Sequence, residues 1–202
     1  MRIRSLGLFV AAVAILFHAF PAEAAGPLSF ADPKGDALDK QDGFDIVGVS
    51  YAMAKTKTGA PQINVKLTLA GPPRLQLASY NVLGSASPVE GCGRFEVDFR
   101  PGTLADAAVG GSPFELWVED CLAPDDVNGN QILSNIPGEV KGSTITWFVP
   151  LDSLKKKARA VGKITDIHAF TYTGDPLFGL MGTHDFDINT DDAVTDKAFV
   201  YA

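Results

Sequence analysis

Short segments in which apolar and polar residues alternate recur through most of the chain. In the clearest of them, 63–69, every second residue is Ile, Val or Leu, and the residues between them are polar. This period of two is that of a β-strand with one face against a core and the other toward solvent. Pro72 and Pro73 end the pattern, since proline cannot donate a backbone hydrogen bond to a neighbouring strand. The chain is therefore predicted to consist mainly of strands.

The same pattern places further strands along the chain and leaves room for one helix. The helix is predicted near 151–159, where Pro150 precedes a short segment with lysines toward its end. About nine short strands, with no alternation of strands and helices, favour an all-β fold. We predict a single antiparallel β-sandwich, jelly-roll-like or immunoglobulin-like. The further strands are predicted at 44–54, 75–83, 94–100, 114–119, 144–149, 164–173 and 198–201.

The N-terminus has the form of a secretory signal peptide. Arg2 and Arg4 precede the apolar run 6–20, which is followed by an Ala-x-Ala cleavage pattern. A membrane anchor or a buried helix is the alternative, but the run is shorter than the roughly 20 residues that span a bilayer. We expect residues 1–24 to be removed and 25–202 to form one sandwich domain. The product would be secreted, extracellular or periplasmic, with no membrane insertion after cleavage.

Acidic residues exceed basic ones, and the excess is concentrated in two segments. The chain has 24 Asp and Glu against 17 Lys and Arg, a net charge of −7. Phosphate backbones and anionic lipids would repel such a chain, so nucleic acid and membrane surfaces are not expected as partners. Residues 32–45 and 185–196 together hold ten of the acidic residues and only two of the basic ones.

The first acidic segment has the composition of a calcium-binding loop. Calcium requires several oxygen ligands and a backbone that can curl around the ion. Solvated turns, in which Asp and Gly are ordinary residues, are the alternative. Five carboxylates lie within 14 residues that also contain two glycines, and they are Asp32, Asp36, Asp39, Asp42 and Asp45.

The second acidic segment, 185–196, resembles an EF-hand loop in its spacing, although Thr190 stands where that loop has glycine. Residues 126–130 form a shorter fragment of the same kind. A cation site requires a fold that brings the two acidic segments together; if the fold keeps them apart, solvated turns are the better interpretation. The calcium ligands that we predict are Asp32, Asp36, Asp45 and Asp192.

The two cysteines fall opposite each other if their flanking segments pair as a hairpin. Apolar and charged residues alternate in 94–100, and apolar residues recur at every second position in 114–119. If the two segments pair antiparallel so that the numbers of paired residues sum to 213, Phe95 lies opposite Val118 and Phe99 lies opposite Phe114. Apolar side chains then face apolar ones. This register also places Cys92 opposite Cys121, which predicts a disulfide in an exported chain. Free thiols or a metal site are the alternatives, but no histidine or third cysteine accompanies the pair at ligand spacing.

The predicted hairpin places Trp117 on a polar face, among Glu96, Glu115 and Glu119. A tryptophan in this position is either a platform that stacks on a sugar or contacts a partner, or an aromatic covered by a neighbouring loop. Trp147 is in phase with aliphatic neighbours and is instead predicted to lie in the core.

Five short motifs, spread over most of the chain, carry a family resemblance. They are Asp-Pro-x-Gly-Asp at 32–36, Asp45-Ile46, and the segments 66–72, 144–151 and 191–196. Together they resemble the exported β-sandwich domains grouped as family 9 carbohydrate-binding modules and DOMON-like domains. The resemblance implies a jelly-roll-like sandwich with a structural calcium near Asp32, Asp36 and Asp45, and the ligand site of the sugar-binding members does not carry over to this chain.

Some DOMON-like domains bind haem, and the resemblance therefore implies a further candidate cofactor. Such domains need axial histidine or methionine ligands. The available residues are Met53, His168, Met181 and His184.

Sequence signals for catalysis are weak. Thr183-His184-Asp185 places a base beside a carboxylate, but the chain has no G-x-S-x-G nucleophile elbow, phosphate-binding glycine loop or H-E-x-x-H helix. We therefore hypothesise an exported, calcium-stabilised, non-catalytic β-sandwich that binds an extracellular glycan or another surface ligand. The alternative is a protein-protein interaction or structural module of the cell envelope, and a haem-binding domain is a third hypothesis.

Overall fold

Short antiparallel strands make up most of the regular structure of this protein. The computed structural model describes residues 26–37, 41–75, 78–87, 92–101, 112–121, 131–173 and 188–201. Within these ranges the chain forms twelve strands and one helix. The strands are β1 Leu28–Ala31, β2 Ile46–Lys55, β3 Pro61–Leu69, β4 Ala78–Ser85, β5 Arg94–Phe99, β6 Phe114–Glu119, β7 Gln131–Asn135, β8 Gly138–Lys141, β9 Thr144–Pro150, β10 Lys163–Thr173, β11 Ile188–Thr195 and β12 Phe199–Val200, and the helix α1 is Leu151–Lys157.

The strands form two sheets that face each other across one core. The five-stranded sheet has the order β1-β2-β3-β9-β8. The seven-stranded sheet has the order β11-β10-β4-β5-β6-β7, with β12 paired to the start of β10. All of these pairs are antiparallel. The prediction of an all-β antiparallel sandwich is confirmed.

The number of strands is larger than the sequence pattern predicted, and the additional strands lie at the edges. β1 and β8 bound the five-stranded sheet, while β11 and β7 bound the seven-stranded sheet. An edge strand pairs on one side only and needs less apolar surface than a central strand, so its sequence alternates less clearly. The predicted signal peptide, 1–24, lies outside the described residues.

The core between the sheets is aromatic at its centre. Trp147, Tyr51 and Tyr80 are fully buried, which confirms the prediction for Trp147. The Trp147 indole Nε1 donates to the backbone carbonyl of Asp98 at 2.9 Å. Because Trp147 belongs to β9 and Asp98 to β5, this bond joins the two sheets through the core.

The hairpin of β5 and β6 has the predicted register. Phe95 pairs with Val118 and Phe99 with Phe114, and the apolar side chains of both strands face the core. Cys92 and Cys121 form a disulfide with their Cα atoms 5.0 Å apart. The predicted disulfide is therefore confirmed.

The helix α1 closes one end of the sandwich. Pro150 precedes its first turn, and Leu151 and Leu154 are buried, whereas the lysines of its last turn are not. The Cys121 N–H donates to the Lys157 carbonyl at 3.0 Å, which ties the end of the helix to the disulfide. Across the described ranges, no helix has the length and hydrophobicity needed to cross a bilayer.

Candidate functional site

The first acidic segment begins in the tight turn that follows β1. Gly35 adopts φ +92°, a conformation that favours glycine, and its N–H donates to both carboxylate oxygens of Asp45, at 3.0 and 2.8 Å. Asp45 is itself buried at the start of β2. Its carboxylate therefore closes the turn that carries Asp32 and Asp36.

The second acidic segment reaches this turn from the other sheet. Asp191 lies in β11, where it pairs with Thr171 and points toward the interior. One Asp191 carboxylate oxygen accepts from the Ile46 N–H at 2.5 Å, and the other accepts from the Asp192 N–H at 3.0 Å. The bond to Ile46 joins the edge of the seven-stranded sheet to β2 of the five-stranded sheet.

Three carboxylates converge where the two sheets meet. One oxygen each from Asp32, Asp36 and Asp191 lies within 4.8 Å of the others. The Asp32 Oδ2 atom is shielded from solvent and has no hydrogen-bond partner among the described residues. The two acidic segments do come together, and we call Asp32, Asp36 and Asp191 the acidic triad.

The acidic triad is electrostatically unbalanced. Burial, reinforced by the carboxylates of Asp36 and Asp191, raises the pKa of Asp32 to about 7. Burial also raises the pKa of Asp191 to about 6, and the hydrogen bond from the Ile46 N–H opposes the rise. Within the described part of the chain, no lysine or arginine forms an ion pair with the triad. A bound cation would supply the missing positive charge.

The structure assigns the predicted ligands Asp192 and Asp45 different positions. The side chain of Asp192 is exposed on the opposite face of β11, and its Oδ2 lies 3.5 Å from His168 Nε2. Successive residues of a strand point to opposite faces, so Asp191 belongs to the triad, while the carboxylate of Asp192 adds to the negative charge that raises the pKa of Asp32. Asp45 supports the triad through Gly35 and is not one of its members.

The described part of the second segment does not have the shape of an EF-hand loop. Ile188–Thr195 is an extended strand, whereas an EF-hand loop must curl around its ion. Four acidic candidates lie outside the described residues, and they are Asp39, Asp185, Asp187 and the fragment 126–130.

Trp117 lies half-buried on the outer face of the seven-stranded sheet. It pairs with Glu96 of β5, and its indole Nε1 has no hydrogen-bond partner among the described residues. The adjoining depression holds about 100 Å³, below the roughly 300–1,000 Å³ of pockets that enclose a small molecule. Trp117 is therefore part of an open surface. The depression is lined by Leu83, Arg94, Phe95, Glu96, Val118 and Glu119 in addition to Trp117.

A second buried carboxylate lies on the same outer face and was missed by the sequence analysis. Asp98 is 0% exposed and contacts Arg100 through its Oδ2 atom. Its Oδ1 atom accepts from Ser79 Oγ at 2.9 Å and, with the amide nitrogen directed toward it, from Asn81 at 2.9 Å. Burial raises the pKa of Asp98 to about 7, and Arg100 opposes that rise. We call Asp98, Arg100, Ser79 and Asn81 the outer-face network.

The described candidates for haem ligation lie in different sheets. Met53 is in β2 of the five-stranded sheet, and His168 is in β10, on the outer face of the other sheet. Met181 and His184 lie outside the described residues. The pair Met53 and His168 does not form a haem site.

No protein-family model, curated protein or solved structure matches this chain. The resemblance to carbohydrate-binding and DOMON-like domains therefore depends on the short sequence motifs, and function has to be argued from the acidic triad and the outer face.

Proposed function

We propose that this protein is an exported, calcium-stabilised β-sandwich that binds an extracellular glycan and catalyses no reaction. The observation that carries the calcium part is the convergence of Asp32, Asp36 and Asp191 at the junction of the sheets. The Cys92–Cys121 disulfide is compatible with the oxidising compartment that export would require.

The dimensions of the triad suit a calcium ion. Calcium binds oxygen at about 2.3–2.6 Å, so two ligands on opposite sides of one ion are separated by roughly 5 Å. The three carboxylate oxygens lie within 4.8 Å of one another. The lone Asp32 Oδ2 atom would gain a partner. A calcium ion here would hold the turn after β1 against β11.

The test of the calcium site is thermal unfolding of chelator-treated protein with and without added Ca²⁺. A ligand at about 100 times its Kd stabilises the folded state by about 2.7 kcal/mol. For a domain of this size that corresponds to a rise in Tm of roughly 5–10 °C. Mg²⁺ at the same concentration is the control, because it prefers a smaller octahedral site. The absence of a shift at millimolar Ca²⁺ would contradict the proposal.

The ligand part of the proposal depends on Trp117. Its ring is half-buried on the outer face of the sheet, and an aromatic side chain that is partly accessible suits stacking against a sugar ring. Glu96, Arg94 and Glu119 surround it and offer hydrogen-bonding groups to sugar hydroxyls. The shallow depression favours a polymer lying along the surface over an enclosed small substrate.

A glycan array with wild-type protein and two variants tests this part. Trp117→Ala should lower binding about ten-fold or more, because tryptophans at the centre of an interface are among its strongest contributors. Trp117→Phe keeps an aromatic face and should retain part of the binding. Binding that is equal for wild type and Trp117→Ala would show that the ligand lies elsewhere.

A protein-binding module is the second candidate function. Tryptophan and arginine are enriched at protein interfaces, and Trp117 lies next to Arg94 in the same depression. This alternative predicts no glycan signal and a co-purifying protein that is lost with Trp117→Ala.

A further inference from the structure

A basic surface lies at the C-terminal end of α1, although the chain as a whole is acidic. Lys155 and Lys156 are exposed in the last turn of the helix, and Arg159 is exposed just beyond it. Val161, two residues further on, is 63% exposed. None of the three cations forms an ion pair with another described residue. We call Lys155, Lys156, Arg159 and Val161 the basic turn.

Packing of the opposite face of α1 against the core fixes the position of the basic turn. Leu151, Leu154 and Ala158 are buried on the opposite face of the helix. Two of the carbonyls at the end of α1 accept from the backbone, because the Ala158 N–H donates to Leu154 at 2.9 Å and the Cys121 N–H donates to Lys157 at 3.0 Å. Arg159 also has φ 48°, which is uncommon for a residue with a side chain.

The acidic triad is too distant to neutralise the basic turn. Asp191 of the triad pairs with Thr171, and Lys163, which follows the basic turn, lies eight residues earlier on β10. At about 3.3 Å per residue the two sites are separated by roughly 26 Å. Screening at physiological ionic strength acts over about 8 Å. On the helix itself Asp152, in the first turn, offsets one positive charge, and the segment 155–159 still carries four basic residues. A negatively charged partner at the basic turn would therefore meet a local positive charge and not the net charge of the chain.

We propose that the basic turn contacts anionic phospholipid headgroups at a membrane surface, without insertion of any segment. Lys155, Lys156 and Arg159 match the negative charge of the headgroups. Val161 favours lipid over a charged polysaccharide, because an exposed aliphatic side chain gains from contact with the acyl boundary and gains little from a sugar sulfate. This contact is independent of the calcium site and of Trp117.

Sedimentation with lipid vesicles tests the proposal on the folded chain in the presence of chelator, which prevents calcium from bridging protein and lipid. The protein should bind vesicles with about one third phosphatidylglycerol and not vesicles of phosphatidylcholine alone, and about 0.5 M salt should abolish the binding. Each cation near an anionic surface contributes about five-fold to binding. The double variant Lys155→Gln/Lys156→Gln should therefore bind about 25-fold more weakly.

Two further variants distinguish binding at the basic turn from nonspecific attraction between lysines and anionic lipid. Lys55→Gln/Lys57→Gln removes two exposed lysines of the hairpin between β2 and β3 and should leave vesicle binding unchanged. Val161→Ser should weaken binding to vesicles. Failure to bind anionic vesicles, or an equal loss in both lysine pairs, would overturn the proposal. Equally strong binding to a sulfated polysaccharide that is insensitive to Val161→Ser would assign the surface to an acidic glycan and overturn it as well.

Discussion

Two buried carboxylates, Asp191 and Asp98, lie on opposite faces of the seven-stranded sheet, and the groups around them differ in what neutralises them. On the inner face, Asp191 meets Asp32 and Asp36, and no described lysine or arginine pairs with them. On the outer face, Asp98 is paired with Arg100 and accepts hydrogen bonds from Ser79 and Asn81. Burial raises the pKa of a carboxyl group to about 7 in both groups.

The comparison separates a structural carboxylate from a candidate ligand. A buried charge must be compensated by an opposite charge or by donors. The outer-face network contains its own cation and is complete without an external partner. The acidic triad has only backbone donors and leaves one Asp32 oxygen without a partner among the described residues, and this is the observation on which the proposed calcium site rests.

The largest loss of stability is expected for a substitution in the outer-face network. Asp98→Ala leaves the Arg100 guanidinium without its partner and should lower the free energy of unfolding by about 3–5 kcal/mol. Urea unfolding measures the loss. The double variant Asp98→Leu/Arg100→Met removes both charges and should recover much of the stability. If Asp98→Ala is as stable as wild type, the ion pair between Asp98 and Arg100 does not contribute to stability as described.

The second largest effect is expected for a substitution in the triad, and it is a change in Tm that is seen only when calcium is added. Asp191→Asn keeps an oxygen that accepts from Ile46 and removes one negative charge. It should abolish most of the roughly 5–10 °C rise in Tm that calcium gives, while calcium-free protein is as stable as before or more so. Asp98→Asn is the control for a lost charge at the other carboxylate group, and it should keep the calcium shift. A full shift in Asp191→Asn would exclude the triad as the calcium site.

The pH dependence of stability should also distinguish the two groups. A carboxyl whose folded pKa is raised holds protons that the unfolded chain has released, so stability falls as pH rises from about 4 to about 7. Asp32, Asp191 and Asp98 all contribute in this direction. Bound calcium should remove the part of this pH dependence that comes from Asp32 and Asp191 and leave the part that comes from Asp98. Unfolding curves at pH 5 and pH 8, with and without Ca²⁺, measure the difference, and parallel pH profiles would contradict it.

The smallest change in stability and in calcium binding is expected for a substitution at Asp192, next to the triad residue Asp191. Asp192 is exposed on the other face of β11, so Asp192→Asn should change the free energy of unfolding by less than about 0.5 kcal/mol and leave the calcium shift intact. Calorimetric titration with Ca²⁺ on this variant and on Asp191→Asn makes the comparison directly. A large loss of calcium affinity in Asp192→Asn would mean that β11 presents the opposite face to the ion.

The β5–β6 hairpin shows how far the sequence could determine the fold. Two independent constraints, the alternation of apolar residues and the pair Cys92 and Cys121, agreed on one register, and that register is the one observed. The edge strands were not predicted, because a strand such as β8 depends on its partner β9 for hydrogen bonds and not on an alternating sequence of its own.

The candidate site shows where the sequence was insufficient. Asp32 and Asp36 were predicted from composition and converge with Asp191, whereas the prediction named the neighbouring Asp192. In a strand a difference of one residue reverses the face, and alternation with buried Ala193 would have favoured Asp191 had β11 been predicted. The pairing of β10 with β11 also contains an irregularity at Thr171, which no local sequence signal marks.

The bond between the Ile46 N–H and Asp191 has a consequence for the order in which the molecule is assembled. Its two residues are 145 positions apart, and the central pairings of β3 with β9 and of β4 with β10 also join distant parts of the chain. A chain that emerges from its N-terminus would expose β3 and β4 well before β9 and β10, which complete their pairing, exist. Loop closure over such distances is slow. We therefore expect folding on a timescale of milliseconds to seconds that starts only when the last third of the chain is present.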